Sequence, residues 1–239
     1  MRVLAAVLVL ALAGCSAPAP EPEDTLSGTV TVFAAASLTD SFQEIADEFT
    51  AEHPDARIVF NFGGSSGLAT QIVEGAPADV FAAASPATME LVGAEGAQVF
   101  ATNMLEIAVA AGNPGSIEGL SSFADSDKLI ALCAVEVPCG AASATLFTEA
   151  GITPSVDTYE QDVKAVLTKV SLGEVDAGLV YVTDVLEAGA DVEGIEVDSD
   201  AVDYPIVRLT DNEAAAAFVA FVLSDEGQSI LKGAGFGAP

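Results

Sequence analysis

The chain has 239 residues, 51% of them apolar, which is enough for two modest lobes or one large domain. It carries 36 Asp and Glu against 7 Lys and Arg, a formal charge of −29 at pH 7, and this charge excludes nucleic acid and anionic membrane surfaces as partners. The single histidine, His53, leaves no second imidazole for a zinc site and no suitable base for a Ser-His hydrolase, so the composition favours a binding protein over an enzyme.

Residues 1–14 are predicted to be a cleaved export signal. The apolar run from Val3 to Ala13 follows one basic residue and is shorter than the ~20 residues that a membrane-spanning helix needs. The tetrapeptide that ends at Cys15, LAGC, is similar to a bacterial lipobox, whose cysteine becomes the lipid-bearing first residue. Residues 15–27 are rich in Pro, Ala and acidic side chains, so we expect a flexible tether, with more than one lipid chain on Cys15 for stable anchoring.

The stretch from Thr29 to Phe42, TVTVFAAASLTDSF, predicts a strand, a tight turn and a helix. Its first five residues are apolar and β-branched, three alanines allow a close turn, and Ser37 begins an S-x-x-D arrangement with Asp40 that is typical of a helix N-cap. Unpaired N–H groups and the positive end of the helix dipole would point into this turn, as in an anion site. Ordinary helix capping by Ser37 is the open alternative.

A similar turn follows the predicted strand at residues 57–62, where GGSSG leads into a helix predicted from Leu68 to Glu74. The loop lacks the lysine of a nucleotide-binding P-loop, and a plain flexible turn is the alternative. A third strand-to-helix turn follows residues 78–83, and Ser85-Pro86 predicts the helix start.

Strands and helices continue to alternate in the second half of the chain. Further strands are predicted at residues 105–111, 128–133, 177–182, 195–197 and 206–209, and helices at about 120–124, 140–150, 159–172, after Thr183, 211–223 and 225–232. The alternation predicts an α/β fold, and small-residue turns recur at strand C-termini, where open α/β sheets bind ligands. Cys133 and Cys139 form an even pair in an exported chain, which favours a disulfide over a metal site.

Several segments resemble the periplasmic molybdate-binding proteins of ABC importers: VTVFAAASL, FGGSSGLATQI followed by GAPADVF, VPCG, QDVKAVL, GLVYVTD and YPI. They occur in the family's order from about Gly28 to Phe236, and AAASL and GAPADVF are the most specific. The resemblance implies a two-lobe, type II periplasmic-binding-protein fold with the oxyanion in the interlobe cleft. Two hinge crossings would divide the chain into a first lobe of residues 28–104 plus 206–239 and a second lobe of residues 105–205.

The resemblance also implies which residues contact the oxyanion. The expected donors are the hydroxyl and backbone groups of Ser37 and Ser65 from the first lobe and, from the second, the backbone N–H groups of Cys139 and Val163 and the phenol of Tyr181. The family often has alanine in place of Cys139, but a contact through the backbone N–H does not depend on the side chain. A cysteine at this position also fits a Cys133–Cys139 bridge that braces the turn. Only Lys164 adds a cation to these segments, and its stem is expected to carry the charge to solvent.

The function implied is capture of molybdate, and of tungstate, for the permease and ATPase of an ABC importer. The protein would be a non-enzymatic, extracytoplasmic lipoprotein anchored at Cys15, a monomer without a cofactor. Alternatives are a receptor for sulfate, phosphate or another small oxyanion, a serine acyl-transfer enzyme that uses Ser37 or Ser65, and a surface adhesin. The enzyme lacks an evident base, and an adhesin would not explain the polar turns. Asp162 and Asp184 would favour phosphate if either turned inward, although capping or solvent exposure is expected.

Overall fold

A computed structural model describes residues 26–239, so the predicted export signal, Cys15 and all but the end of the predicted tether lie outside the described residues. The strands, in chain order, are β1 (Gly28–Ala35), β2 (Ala56–Gly63), β3 (Val80–Ala82), β4 (Gln98–Asn103), β5 (Leu105–Ala110), β6 (Ile130–Cys133), β7 (Thr158–Glu160), β8 (Ala177–Tyr181), β9 (Val192–Glu196) and β10 (Val202–Arg208). The α-helices are α1 (Thr39–Glu52), α2 (Ser65–Val73), α3 (Pro86–Val92), α4 (Pro138–Ala150), α5 (Val163–Ser171), α6 (Val182–Ala188), α7 (Glu213–Val222) and α8 (Asp225–Gly233). Short 3-10 turns are found at Ala36–Leu38, Leu120–Ala124 and Gly189–Asp191.

The strands form two five-stranded mixed sheets, which confirms the predicted α/β class. Sheet A has the order β2-β1-β3-β10-β4, with β1 parallel to β2 and β3 and with β10 antiparallel to its neighbours. Ala35 at the end of β1 pairs with Gly63, and Ala34 pairs with Ala82. The turns that follow β1, β2 and β3 therefore meet at one edge of sheet A.

Sheet B has the order β7-β6-β8-β5-β9, with β6 parallel to β7 and β8. Cys133 at the end of β6 pairs with Glu160 at the end of β7, and β8 runs alongside. The starts of α4, α5 and α6, which follow these parallel strands, therefore lie at one edge of sheet B. We refer to sheet A with its packed helices α1, α2, α3, α7 and α8 as lobe A, and to sheet B with α4, α5 and α6 as lobe B.

Each lobe has its own apolar core. In lobe A the Phe49 ring meets the Phe218 ring edge-on at 5.5 Å between centroids, and in lobe B Phe123 packs on Phe147 at the same distance. The chain passes from β4 into β5 and returns between β9 and β10, so it crosses between the sheets twice. Residue 206, the predicted point of return, lies inside β10, which joins sheet A from Val202.

Two strands, β7 and β4, were not predicted. The expected helix over 159–172 is divided into β7 and the shorter α5, because Thr158–Glu160 pairs with β6 and Asp162 then caps a new helix. No strand was predicted at Gln98–Asn103, where β4 forms. Phe100 and Ala101 are the buried apolar residues in β4, so its own pattern is weak, and pairing with β10 stabilises it.

Helices α7 and α8 pack on α1 and close lobe A at the end of the chain. The side chain of Asn212 caps α7 by accepting from the N–H groups of Ala214 and Ala215. Between residues 26 and 239, no single helix has both the length and the apolar composition of a membrane span, and α7 and α8 meet these criteria only as a pair bent by 57°.

Candidate functional site

A small cavity of about 20 Å³ lies between the lobes, where the two sheet edges face each other. Its lining consists of Ala35, Ala36, Ser37, Gly63, Gly64, Ser65 and Ala84 from lobe A and Val137, Pro138, Cys139, Asp162, Val163 and Tyr181 from lobe B. All the contact residues expected from the motifs are in this lining. Because a buried water needs roughly 10–15 Å³, a cavity of this size suits a small ion better than a sugar or an amino acid.

Ser37 lies in the 3-10 turn that precedes α1, and the residue is 5% exposed. The predicted capping box of Ser37 with Asp40 is wrong: the N-cap of α1 is Leu38, and no side chain in residues 26–239 caps the helix. The 3-10 turn moves the start of α1 to Thr39, so the Ser37 hydroxyl is free to lie 2.9 Å from the buried phenol of Tyr204.

Ser65 is the first residue of α2, three residues before the predicted start. Its Oγ accepts a 3.0 Å hydrogen bond from the N–H of Ala84, which follows β3. This bond fixes the hydroxyl at the cavity wall and leaves its proton available to another acceptor. Gly64, just before it, faces lobe B so closely that an added Cβ would lie 2.2 Å from the carbonyl oxygen of Gln161.

Two longer helices of lobe B begin at the opposite wall. Cys139 is in the first turn of α4, and Val163 is the first residue of α5. Backbone N–H groups in a first turn have no intrahelical partner, and the helix dipole adds positive potential there. A disulfide joins Cys139 to Cys133 at the end of β6, with their Cα atoms 5.7 Å apart, so it braces the turn that presents this N–H group.

Tyr181 ends β8 and is 1% exposed. Within residues 26–239 its hydroxyl has no hydrogen-bond partner, although it lines the cavity. Burial raises the pKa of the Tyr181 phenol well above its ordinary value, and Tyr204 and Asp184 raise it further, so the group stays neutral and keeps its proton to donate. Leaving such a buried donor unpaired costs about 1–3 kcal/mol, which points to an acceptor in the cavity.

One charged residue lines the cavity, and further charged groups lie behind its wall. Asp162 is the only charged residue among the described residues of the lining, and its carboxylate caps α5 by accepting from the N–H of Ala165 at 2.9 Å. The prediction that Lys164 extends to solvent is wrong. Its ammonium group lies 3.2 Å from the carboxylate of Asp184 and also contacts Glu187. Asp184 is fully buried and needs this counterion, so Lys164 is held beside it.

Asp184 is also bonded to the site. Its Oδ2 accepts from the backbone N–H of Tyr181 at 3.0 Å, which ties the end of β8 to the first turn of α6. Burial raises the pKa of Asp184, whereas Lys164 and the Tyr181 N–H lower it. Asp184 therefore supports Tyr181 from behind and is not part of the cavity lining.

Polar contacts join the lobes around the cavity. The Ser66 hydroxyl donates to the carbonyl oxygen of Glu136 at 2.6 Å on one side. Near the first crossing, the Asn103 side-chain amide donates to the Thr183 hydroxyl at 2.8 Å. These contacts, together with Tyr204, were not predicted as site residues, although Tyr204 lies in the YPI segment that resembles the family.

The arrangement can bind an anion, and within residues 26–239 neither candidate serine is hydrogen-bonded to a base. Hydroxyl and backbone N–H donors reach the cavity from both lobes. Among the described residues, the Ser37 and Ser65 hydroxyls bond to a phenol and to a backbone N–H group, and not to a histidine or a lysine that could take a proton.

The sequence matches the family described as bacterial extracellular solute-binding protein over residues 30–237. The molybdate-binding protein ModA of Mycobacterium tuberculosis is 37% identical over 222 residues, which cover 88% of this chain and 85% of that protein. The ModA protein of Haemophilus influenzae is 33% identical over 232 residues, with 89% of this chain and 91% of the relative covered. The structure of the Azotobacter vinelandii periplasmic molybdate-binding protein has the same fold, with a TM-score of 0.74 at 19% identity over 88% of this chain and 99% of that one. The chain therefore belongs to the family of bacterial extracellular solute-binding proteins.

Proposed function

We propose that this protein binds molybdate, and tungstate in its place, and passes the anion to the permease of an ABC importer. One observation carries the proposal: donors from both lobes meet at a cavity of ion size in which a buried tyrosine hydroxyl has no partner among the described residues. Relatives that are named for molybdate binding support the same ligand.

The donor set suits a fully deprotonated tetrahedral oxyanion. The Ser37 and Ser65 hydroxyls, the N–H groups of Cys139 and Val163 and the Tyr181 phenol can all donate, and every oxygen of molybdate can accept. The N-termini of α2, α4 and α5 contribute positive potential, and the described residues of the cavity wall include no lysine or arginine. A dianion can therefore be held although the protein as a whole is acidic.

Binding from both lobes would couple the ligand to the distance between them. Sheet membership supports lobe boundaries near residue 104 and between residues 197 and 201, at the two crossings. The ligand would stabilise the closed arrangement, which presents both lobes together to a permease. The LAGC segment supports export as a lipoprotein anchored through Cys15, and we propose that the mature protein acts as a monomer.

Isothermal titration calorimetry and thermal unfolding would test the function. Ligand-free protein is titrated with molybdate, tungstate, sulfate and phosphate, and with one amino acid and one sugar as controls. We expect molybdate and tungstate to raise the melting temperature, since a ligand at 100 times its dissociation constant adds about 2.7 kcal/mol to the free energy of unfolding. No effect of either anion, with a shift by an amino acid or a sugar, would overturn the proposal.

A further inference from the structure

Tyr204 lies directly behind Ser37, outside the cavity lining. It belongs to β10 of lobe A and is fully buried. Its ring meets the rings of Tyr181 and Phe236 edge-on, at 6.0 and 5.4 Å between centroids. The phenol oxygen lies 2.9 Å from the Ser37 Oγ, so the one hydroxyl that reaches the cavity from this turn is bonded to a second hydroxyl.

The direction of this hydrogen bond decides what Ser37 can offer a ligand. Each hydroxyl has a single proton and can also accept. If Ser37 donated to Tyr204, it would present only lone pairs to the cavity. If Tyr204 donates to Ser37, the Ser37 proton points to the ligand.

The surroundings favour donation by Tyr204. Within residues 26–239, the Ser37 Oγ is the only hydrogen-bond partner of the Tyr204 phenol, and the Tyr204 ring is fully buried. The buried phenol proton therefore has Ser37 as its acceptor, whereas the Ser37 proton can be given to a ligand in the cavity. A phenol is also a stronger acid than an aliphatic alcohol, so it is the better donor of the two. Burial raises the pKa of Tyr204, so the phenol keeps its proton, and Ser37 is the acceptor placed to receive it.

We propose that Tyr204 is a positioning residue that holds Ser37 as a donor and thereby makes the site select fully deprotonated oxyanions. The inference rests on the proposed oxyanion-binding function. Hydrogen bonds run in one direction, from Tyr204 to Ser37 and from Ser37 to the ligand. A protonated oxyanion such as hydrogen phosphate would find no acceptor at Ser37. Without the Tyr204 hydroxyl, Ser37 could rotate and accept from such a ligand.

The first test is a double-mutant cycle measured by titration calorimetry with molybdate and with phosphate. It compares the wild type, Ser37→Ala, Tyr204→Phe and the double variant, with Tyr159→Phe as a control because Tyr159 is 59% exposed. Tyr204→Phe should weaken molybdate binding about 2- to 12-fold, the worth of a hydrogen bond between neutral groups, and lower the ratio of molybdate to phosphate affinity. In the Ser37→Ala background the same change should have no further effect.

The outcomes separate this inference from the proposed function. Two results would overturn the positioning role while molybdate binding by the wild type stands. One is a loss of binding free energy in the double variant that equals the sum of the two single losses. The other is an unchanged ratio of molybdate to phosphate affinity in Tyr204→Phe. A wild type that binds no oxyanion would overturn the proposed function and this inference with it.

A second variant keeps the ring, the hydroxyl and the packing. Site-specific 3-fluorotyrosine at position 204 has a more acidic phenol and is therefore a better donor and a poorer acceptor. We expect tighter molybdate binding, because a stronger bond to Ser37 Oγ polarises the Ser37 hydroxyl toward the ligand. Weaker binding would mean that Tyr204 accepts from Ser37, which overturns the inference even if Tyr204→Phe does not fold.

Discussion

Gly64 in lobe A approaches Gln161 in lobe B so closely that a Cβ on Gly64 would lie 2.2 Å from the Gln161 carbonyl oxygen. The contact is between backbone atoms of different lobes, at the edge of the cavity. Neither side can rotate away as a flexible side chain could. Gly64 is therefore required by the close approach of the two lobes in this structure, and not by its own backbone dihedral angles, which any residue can adopt.

Gly64→Ala should weaken molybdate binding without unfolding the protein. Overpacking costs about 1–3 kcal/mol, which predicts a loss of roughly 5- to 150-fold in affinity if the clash arises only on closure. Calorimetry measures the loss, and the melting temperature of the ligand-free variant should stay near that of the wild type. Gly67→Ala is the control, since a Cβ there has no described atom within 4 Å apart from its chain neighbours and its own helix backbone. Wild-type affinity in Gly64→Ala would show that the ion is bound without this contact.

Tyr181→Phe should reduce binding while leaving the ligand-free fold intact. The phenol has no partner among the described residues, so its removal costs the ligand-free protein no hydrogen bond. A hydrogen bond to a charged group is worth about 1.5–3 kcal/mol, so molybdate affinity should fall by roughly 10-fold or more. Calorimetry and thermal unfolding together measure both effects. A melting temperature well below that of the wild type, with unchanged affinity, would assign Tyr181 to the core alone.

The expected contact residues come from the resemblance of short, contiguous motifs to a family, and the structure places all of these residues in one cavity lining. Local patterns alone did not locate the helix starts, because α2 begins at Ser65, three residues before its predicted start, and α5 begins at Val163, inside a helix predicted over 159–172. Longer-range contacts could not be predicted. The local S-x-x-D pattern predicted that Ser37 caps a helix. The hydrogen-bond partner of its hydroxyl is Tyr204, which is 167 residues away in the chain.

The environment of Lys164 and the formation of β4 also depend on residues that are distant in the sequence. Lysine is usually solvated, and only the fold reveals that Asp184 is buried within 3.2 Å of the Lys164 ammonium. The strand β4 has few buried apolar residues of its own and forms because β10 returns beside it. Pairing of this kind depends on the topology of the sheet, which local periodicity does not encode.

Glu187 should make the free energy of unfolding depend on pH. Burial and the neighbouring Asp40 carboxylate of the other lobe raise the pKa of Glu187 from 4.5 to about 7, although Lys164 lowers it. A raised carboxyl pKa means that the folded protein binds the proton more tightly than the unfolded chain does. The stabilisation from this proton is complete below 4.5 and is lost as the pH rises through about 7.

Glu187→Gln should remove this part of the pH dependence. Urea unfolding of the variant and the wild type, from acidic to mildly alkaline pH, gives the difference in free energy of unfolding. We expect the variant to gain stability relative to the wild type as the pH rises, and Glu48→Gln, at an exposed position of α1, to show no such trend. A difference that does not change with pH would contradict the assignment.

The Cys133–Cys139 bridge should stiffen the turn before α4 without being needed for binding. Mass analysis of the unreduced protein should show the oxidised pair, and two freely alkylated thiols would contradict it. The sequence separation is 6 residues, so the stabilisation should be below the ~3 kcal/mol expected for a loop of 15 residues. The Cys133→Ala/Cys139→Ala double variant should therefore melt lower but keep most of its molybdate affinity, because only the backbone N–H of residue 139 is required.

Selectivity among oxyanions should depend on whether the bound anion carries a proton. The proposed contacts are all donors, so a P–O–H group of phosphate would lose its hydrogen bond to water at a cost of about 1–3 kcal/mol, roughly tenfold or more in affinity. Sulfate is fully deprotonated and can be rejected only by its size. We therefore expect tungstate to compete near parity with molybdate, sulfate weakly, and phosphate not at millimolar concentration.

Asp162 is the group that could reverse this selectivity, because its carboxylate is in the lining and could accept from hydrogen phosphate. One of its oxygens is already used to cap α5, and its negative charge opposes any dianion. Asp162→Asn keeps the cap, since asparagine caps helices about as well as aspartate, and removes the charge. Competition calorimetry should then show tighter molybdate binding and still no phosphate binding. Tight phosphate binding by the wild type that Asp162→Asn abolishes would show that this carboxylate accepts from the ligand, and the assignment to molybdate would have to be withdrawn.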